Sequence, residues 1–355
     1  MYKILSINPG STSTKVSVYE DEKKLFDETI NHSEKDLNKF EGIQSQFDFR
    51  KKAILTILDK NNFQLIDLDA IVSRGGILPP LKSGAYKINS TMVDYLVNTP
   101  RDHHASNLGA VIAYDLSESL NIPSYIYDPI SVDELVDVAR FSGMPEIERE
   151  SRMHTLNMRA SAIKAAKKSN KKYEDSRFVV AHLGGGTTLS VHKEGKVVDI
   201  LSDDEGPFSP ERSGGLPGRN LVDLCFSGKY TKNEIKKNMR SKSGLEGYLK
   251  TKDLRKVEEL IEKGDKKAKL VFEAMVYQIA KGIGQLATVL DGDIDAVVIT
   301  GGMAFSKKLE KMLKEKISFL GEVIMLPGEE EMEALTLGGL RVLKGEEEAK
   351  EFTLV

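Results

Sequence analysis

Residues 4–18 limit the fold more than any other stretch. They run from Ile4-Leu5-Ser6-Ile7 through Asn8-Pro9-Gly10-Ser11-Thr12-Ser13-Thr14-Lys15 to Val16-Ser17-Val18. An apolar run, a polar turn and an alternating apolar run predict a β-hairpin whose tip carries chemistry. Gly10 lets the backbone turn and come close to a ligand. Ser11, Thr12, Ser13 and Thr14 offer hydroxyls and backbone amides, and Lys15 adds a positive charge. Those are the parts of a phosphate cradle. Taken alone, an ordinary Ser/Thr/Gly turn would read the same. The design returns, however, at residues 178–191. There His182-Leu183-Gly184 lines up with Asn8-Pro9-Gly10, and Leu189-Ser190-Val191 with Val16-Ser17-Val18. The second loop, with Gly184, Gly185 and Gly186, has one residue fewer. A hairpin repeated at such a distance predicts two related domains, each presenting a phosphate loop. A third segment, residues 296–302, reads as a buried strand running into Thr300-Gly301-Gly302 and then a helix. A nucleotide's sugar or base could sit against such a glycine pair.

The chain has 355 residues, enough for two domains with real cores. Its formal net charge of -3 gives no argument for a nucleic-acid surface. The single Cys225 rules out an intrachain disulfide and suits a reducing compartment. Met1 leads straight into a strand, without a signal-like segment. No apolar run nears the roughly 20 residues of a membrane span. A cytoplasmic protein with no membrane or nucleic-acid partner is the expectation.

Along the chain, a third strand is expected over residues 24–30, a helix over 41–61 and a buried strand over 66–73. That strand delivers Arg74-Gly75-Gly76, and strand ends are where open α/β sheets bind ligands. Residues 107–120 read as a helix with Asn107 a candidate N-cap. Residues 124–127 read as a strand leading to Asp128-Pro129, and residues 132–139 as a helix. A helix follows over 158–168, where the domain changes. The strands 177–182, 188–193 and 196–202 form a meander. The Gly/Pro-rich stretch 202–219 reads as a long functional loop. Helices over 253–263 and 266–290, a strand over 295–300, a helix over 305–316, a strand over 322–326 and a helix over 331–343 complete the pattern. His32 and His192 read as surface residues.

The ordered set of motifs resembles a known group. Two phosphate hairpins plus a late strand-Thr-Gly-Gly resemble the actin, sugar-kinase and heat-shock ATPase superfamily. Within it, Asn8-x-Gly10-Ser11-x-Ser13-x-Lys15, Ser73-Arg74-Gly75-Gly76, His182-Leu183-Gly184-Gly185-Gly186 and Lys242-Ser243-Gly244-Leu245 are similar to the acetate kinase and butyrate kinase family. The runs Arg101-Asp102-His103-His104-Ala105-Ser106-Asn107-Leu108-Gly109 and Pro210-Glu211-Arg212-Ser213-Gly214-Gly215-Leu216-Pro217-Gly218-Arg219 resemble its butyrate kinase branch. Thr12 and Gly185 depart from the acetate kinase pattern, as does the bulkier helix entry Met153-His154-Thr155-Leu156-Asn157-Met158. The bulkier, more apolar helix entry favours a longer acyl chain.

The resemblance implies an α/β fold of two actin-like (ribonuclease H-like) domains, each a mixed sheet flanked by helices, with the nucleotide cleft between them. The first would span 1–150 plus 332–355, the second 151–331. It implies transfer of the γ-phosphoryl of ATP to a short-chain carboxylate, giving an acyl phosphate and ADP with Mg²⁺. A carboxylate nucleophile needs no general base, so the site should hold arginines, imidazoles and a metal. Arg74 would grip the carboxylate and the transferring oxygens. Arg219 matches the second active-site arginine, with Arg212 a nearby rival. His154 and His182 match the site histidines, and one of His103 and His104 would line the substrate end. Asp128 would orient an arginine or the metal's waters. Asn8 and one of Glu330 or Glu331 would serve the metal. Asp253 and Arg255 fall where the family contacts adenine, although a capped surface helix would read the same. Gly301 and Gly302 would face the nucleotide. A homodimer or higher homo-oligomer is expected. An acetate or propionate kinase is the nearest alternative. An ATP-driven switch or chaperone is a different class, which this chain would serve without a separate peptide-binding domain.

Overall fold

The strand Lys3–Pro9 sits inside a seven-stranded sheet and organises the first of two compact units, residues 1–133 with 330–355. The computed structural model describes residues 1–100 and 104–354. Arg101, Asp102 and His103, part of one motif above, lie outside the described residues. Lys3–Pro9 pairs antiparallel with Ser13–Glu20, which pairs antiparallel with Lys23–Asn31. On its other side it runs parallel to Ala70–Ser73, which runs parallel to Ser124–Tyr127. Ala85–Lys87 and Lys350–Glu351 finish that edge.

Alternation decides which side chains go to which face. Leu5, Ile7, Val16, Ile71 and Ile126 enter one core with Ile54 of the helix Phe47–Lys60 and Leu108 and Ile112 of the helix Asn107–Leu120. The intervening Ser6 instead bonds Thr336 of the helix Glu331–Leu343, Oγ to Oγ1 at 2.7 Å. That helix can approach only because it carries Gly338 and Gly339. A Cβ at Gly339 would stand 2.3 Å from Val72 Cγ2, and one at Gly338 would stand 2.4 Å from the Tyr127 ring.

The second unit, residues 134–329, holds a five-stranded sheet. Its order is Lys196–Leu201, Thr187–Lys193, Arg177–Leu183, Ala296–Gly301 and Glu322–Pro327. Both faces are covered. Val179, Ala181, Val297 and Ile299 pack with Phe272, Met275 and Ile279 of the helix Lys266–Ala287. Phe178, Val180, Ala296 and Val298 pack with Met158, Ala162 and Ala165 of the helix Thr155–Lys168. Each fully buried large apolar side chain contributes about 1.5–3 kcal/mol.

Several local expectations need correction. The strand expected over 66–73 is confined to Ala70–Ser73, because Leu65–Asp67 turns as a 3-10 segment. Asn107 is not the N-cap. Ser106 holds that place, and Asn107 Oδ1 accepts the Ile77 amide at 2.9 Å. Residues 132–139 form no α-helix: Val132 bridges to Leu81, and only Asp137–Arg140 winds as a 3-10 turn. The long loop stops short of Arg219, which lies on the helix Gly218–Cys225. His32 and His192 are buried, at 7% and 0% exposure, because each ring finds hydroxyl partners inside: Thr14 for His32, Tyr173 and Ser190 for His192.

Candidate active site

In the first unit the parallel strands Lys3–Pro9 and Ala70–Ser73 deliver Asn8 and Arg74 at their C-terminal ends. The Arg74 amide donates to Ile7 O at 3.0 Å, which fixes its backbone. Its neighbours must be glycine. A Cβ on Gly75 would press on Pro129 at 2.6 Å, one on Gly76 on Asn107 at 2.5 Å, and one on Gly109 on Arg74 O at 2.8 Å. The Arg74 guanidinium pairs with Glu331 Oε1 through Nη1. Asn8 Nδ2 donates to Glu331 Oε2 at 2.7 Å, and Lys15 Nζ stands 3.7 Å from the same oxygen. Glu331 opens the helix Glu331–Leu343, where the dipole favours a carboxylate. Arg74, Asn8, Lys15 and Glu331 thus form one polar cluster. Glu330 is that helix's N-cap residue, and its carbonyl accepts the Ala334 amide at 2.8 Å.

The hairpin tip adjoins this cluster in sequence. Gly10 N donates to Ser13 O at 2.8 Å, closing the turn, while Ser11 and Thr12 are exposed. Asp128 follows Ser124–Tyr127, is buried at 3% exposure and holds a left-handed φ of 40°. Its Oδ1 accepts the Gly84 amide at 2.7 Å.

In the second unit His182 is the last residue but one of the strand Arg177–Leu183 and is 1% exposed. Its Nδ1 meets Asn157 Oδ1 at 2.8 Å. The Asn157 amide is oriented by Nδ2 donating to Gly328 O at 3.5 Å, and the single Thr300 hydroxyl proton is shared between Asn157 Oδ1 at 3.3 Å and Gly328 O at 3.2 Å. Nδ1 is therefore the donor, and Nε2 is the atom turned toward a ligand. Nε2 lies 3.2 Å from Glu329 Oε1 but lacks the geometry of a hydrogen bond, so it is a buried polar atom without such a partner among the described residues. His154, at the N-cap of the helix Thr155–Lys168, stacks on His182 with ring centres 4.0 Å apart, and its Nδ1 reaches Thr188 Oγ1 at 3.0 Å.

Side chains in the second loop would crowd its neighbours. A Cβ on Gly184 would stand 3.0 Å from His182 Nε2, one on Gly185 3.0 Å from Glu211, and one on Gly186 2.8 Å from the Arg212 guanidinium. Ser209 Oγ donates to Gly185 O at 2.6 Å and accepts the Arg212 amide at 3.2 Å. Arg212 pairs with Asp203, while its Nε is buried without a partner among the described residues. Burial, then the nearby Arg240, holds the Arg212 pKa below its usual value. The rival arginine is thus the one against the loop. Arg219 is exposed on its own helix. Gly301 has φ of 89°, and a Cβ there would stand 2.4 Å from Leu183 O, whereas nothing lies within 4 Å of one on Gly302. Asp253 and Arg255 pair with each other at the start of a helix. Asp253 caps the helix Leu254–Glu262 and accepts both Nε and Nη2 of an exposed Arg255, at 3.0 and 2.8 Å. That pairing is the one a capped surface helix makes.

The architecture is that of the carboxylate kinases. The crystal structure of Porphyromonas gingivalis acetate kinase superposes with a TM-score of 0.78, covering 97% of this chain and 100% of its own at 18% identity. A propionate kinase from Francisella tularensis gives 0.74 at 19% identity, covering 95% and 99%. At such identities the likeness carries the two-domain actin-like fold alone. The acetokinase family model matches residues 150–343, and the chain belongs to that family. Butyrate kinase 1 of Clostridium acetobutylicum is 47% identical over 99% of this chain and 100% of its own length.

Proposed function

We propose that this chain transfers the γ-phosphoryl group of ATP to the carboxylate of butyrate, giving butanoyl phosphate and ADP in a reversible reaction. The observation that carries this reading is the 47% identity, end to end, with butyrate kinase 1. A carboxylate oxygen attacks the γ-phosphorus. The bond from that phosphorus to the bridging oxygen breaks, and ADP leaves with the electron pair. No proton moves, so the work is to bring two anions together and to neutralise charge in flight.

Arg74 takes the carboxylate and the transferring oxygens, and its glycine-walled seat supports that role. As the imidazolium, His182 would keep Nδ1–H on Asn157 and donate Nε2–H to a phosphoryl oxygen; Nε2 has no other hydrogen-bond partner among the described residues, which supports this. Arg212 is the second arginine; its contact with Gly186 favours it over Arg219. The two hairpin tips and Gly301-Gly302 serve the nucleotide. Among the described residues no group of three or more His, Cys, Asp or Glu could hold a metal. Asn8 and Glu331 still fit Mg²⁺, which keeps several waters and takes one or two carboxylates beside substrate phosphates. A carboxylate has about four acceptor positions, so Glu331 can serve the metal's waters while holding Arg74 and Asn8. Bound there, Mg²⁺ would neutralise phosphate charge. We read the enzyme as cytoplasmic and homo-oligomeric; no helix among the described residues is long and apolar enough to cross a membrane.

ADP release measured with a panel of straight and branched acids tests the proposal. Release that requires a short-chain acid is expected. Release that ignores the acid would instead favour an ATP-driven switch.

A further inference from the structure

Arg50, on the helix Phe47–Lys60, is fully buried at 0% exposure. A buried guanidinium normally carries an acid partner, because an uncompensated charge away from water is costly. Here every acceptor is neutral. Nε donates to Gln46 Oε1 at 3.0 Å, and Nη2 donates to Ser11 O at 3.1 Å. Nη1 faces Gly10 O at 2.9 Å, Ser13 O at 3.1 Å and Thr14 Oγ1 at 3.1 Å. Burial alone pulls its pKa down, with no acid acting against it.

The remaining carbonyl of the tip, Thr12 O, accepts the His32 amide at 2.8 Å. All four carbonyls of residues 10–13 are thus tied toward the interior. The amides of Ser11 and Thr12 donate to nothing among the described residues, and both residues are exposed. A peptide group whose carbonyl is fixed on one side shows its N–H on the other, and successive amides so arranged make an anion nest.

We propose that Arg50 is the positioning residue of the phosphate-binding tip: its guanidinium fork holds the carbonyls inward, and the nucleotide's phosphates supply the counter-charge it lacks. This rests on the kinase reading and deepens it. Arg50 touches no substrate; it acts through the amides it orients. It should therefore govern ATP and leave butyrate alone.

Arg50→Lys keeps the charge and loses the fork. Its KM for ATP should rise about 10-fold or more, with the KM for butyrate within about twofold of wild type. The rise in Tm on adding ATP should shrink. An unchanged KM for ATP, or KM values for ATP and butyrate that rise together, would overturn the proposal, as would a lower Tm with ATP kinetics intact. If Arg50→Lys does not fold, Gln46→Leu releases Nε and leaves the charge. It should raise the KM for ATP by a smaller factor, and no change would overturn the role. Should the wild type phosphorylate no carboxylate, the kinase reading fails, and equilibrium binding of ATP tests Arg50 separately. Weaker binding by Arg50→Lys supports the role, and equal binding overturns it.

Discussion

Arg74 and Arg212 are held by different means, and this bears on what their loss would do. Arg74 is anchored by its backbone bond to Ile7 and by its ion pair with Glu331. Arg212 is half-buried against Gly186 with Asp203 at its side. We expect Arg74→Ala and Arg212→Ala each to lower kcat by about 100-fold or more, the usual loss for a missing transition-state contact. Arg219→Ala should stay near wild type, since its side chain stands exposed on a separate helix. Steady-state kcat values for the three variants check this; a crippled Arg219→Ala with a healthy Arg212→Ala would reverse the assignment. Asn157→Leu removes the acceptor that sets the His182 ring. It should cost about 10-fold or more in kcat with the fold intact, since small displacements of a reacting group are expensive. Wild-type kcat would show that His182 needs no such orientation.

At the scale of elements, the helix Glu331–Leu343 links packing to chemistry. Gly338 and Gly339 let it lie on Tyr127 and Val72, and Glu331 at its start reaches Arg74 and Asn8. Gly339→Val should push the helix off the sheet, cost about 1–3 kcal/mol of stability and lower kcat through Glu331. Denaturant unfolding and kcat together check it; unchanged values for both would contradict the packing.

The strand Thr187–Lys193 carries a second test. Burial, with Arg159 adding to it, pushes the pKa of His192 down from 6.5 to about 3. Between those values the unfolded chain binds a proton that the folded chain refuses. The stability contributed by the neutral ring is therefore full above pH 6.5 and is lost as pH falls toward 3. His192→Gln should flatten the acid limb of the stability curve by up to about 1.4 kcal/mol per pH unit. An unchanged limb would contradict a buried neutral ring.

These elements also show what the sequence could reveal. The hairpins, the Thr-Gly-Gly strand and the helix Glu331–Leu343 were legible, because alternation and turn residues mark them locally. His192 was misread because a histidine in an alternating strand does not announce hydroxyl partners on Tyr173 and Ser190. Arg50 leaves a trace in the sequence, a charged residue between Phe47 and Ile54 on the apolar face of its helix. Arg212 and Arg219 could not be separated by spacing, since what distinguishes them is the exposed helix Gly218–Cys225.

For the molecule as a whole, turnover should require a divalent cation, because a triphosphate must meet a second anion. Excess chelator should abolish it, and full turnover in chelator would remove the metal from the account. Choice of acid is the finer question. An apolar slot gains about 0.8 kcal/mol for each buried methylene, so butyrate can gain up to ~1.6 kcal/mol over acetate, roughly 15-fold. The carboxylate end is common to both, so Arg74→Ala should hurt both alike. The most direct measurement is kcat/KM for butyrate and acetate under one set of conditions with Mg²⁺ and ATP. Butyrate is expected ahead, by a factor up to about 15. Equal values, or acetate ahead, would contradict it.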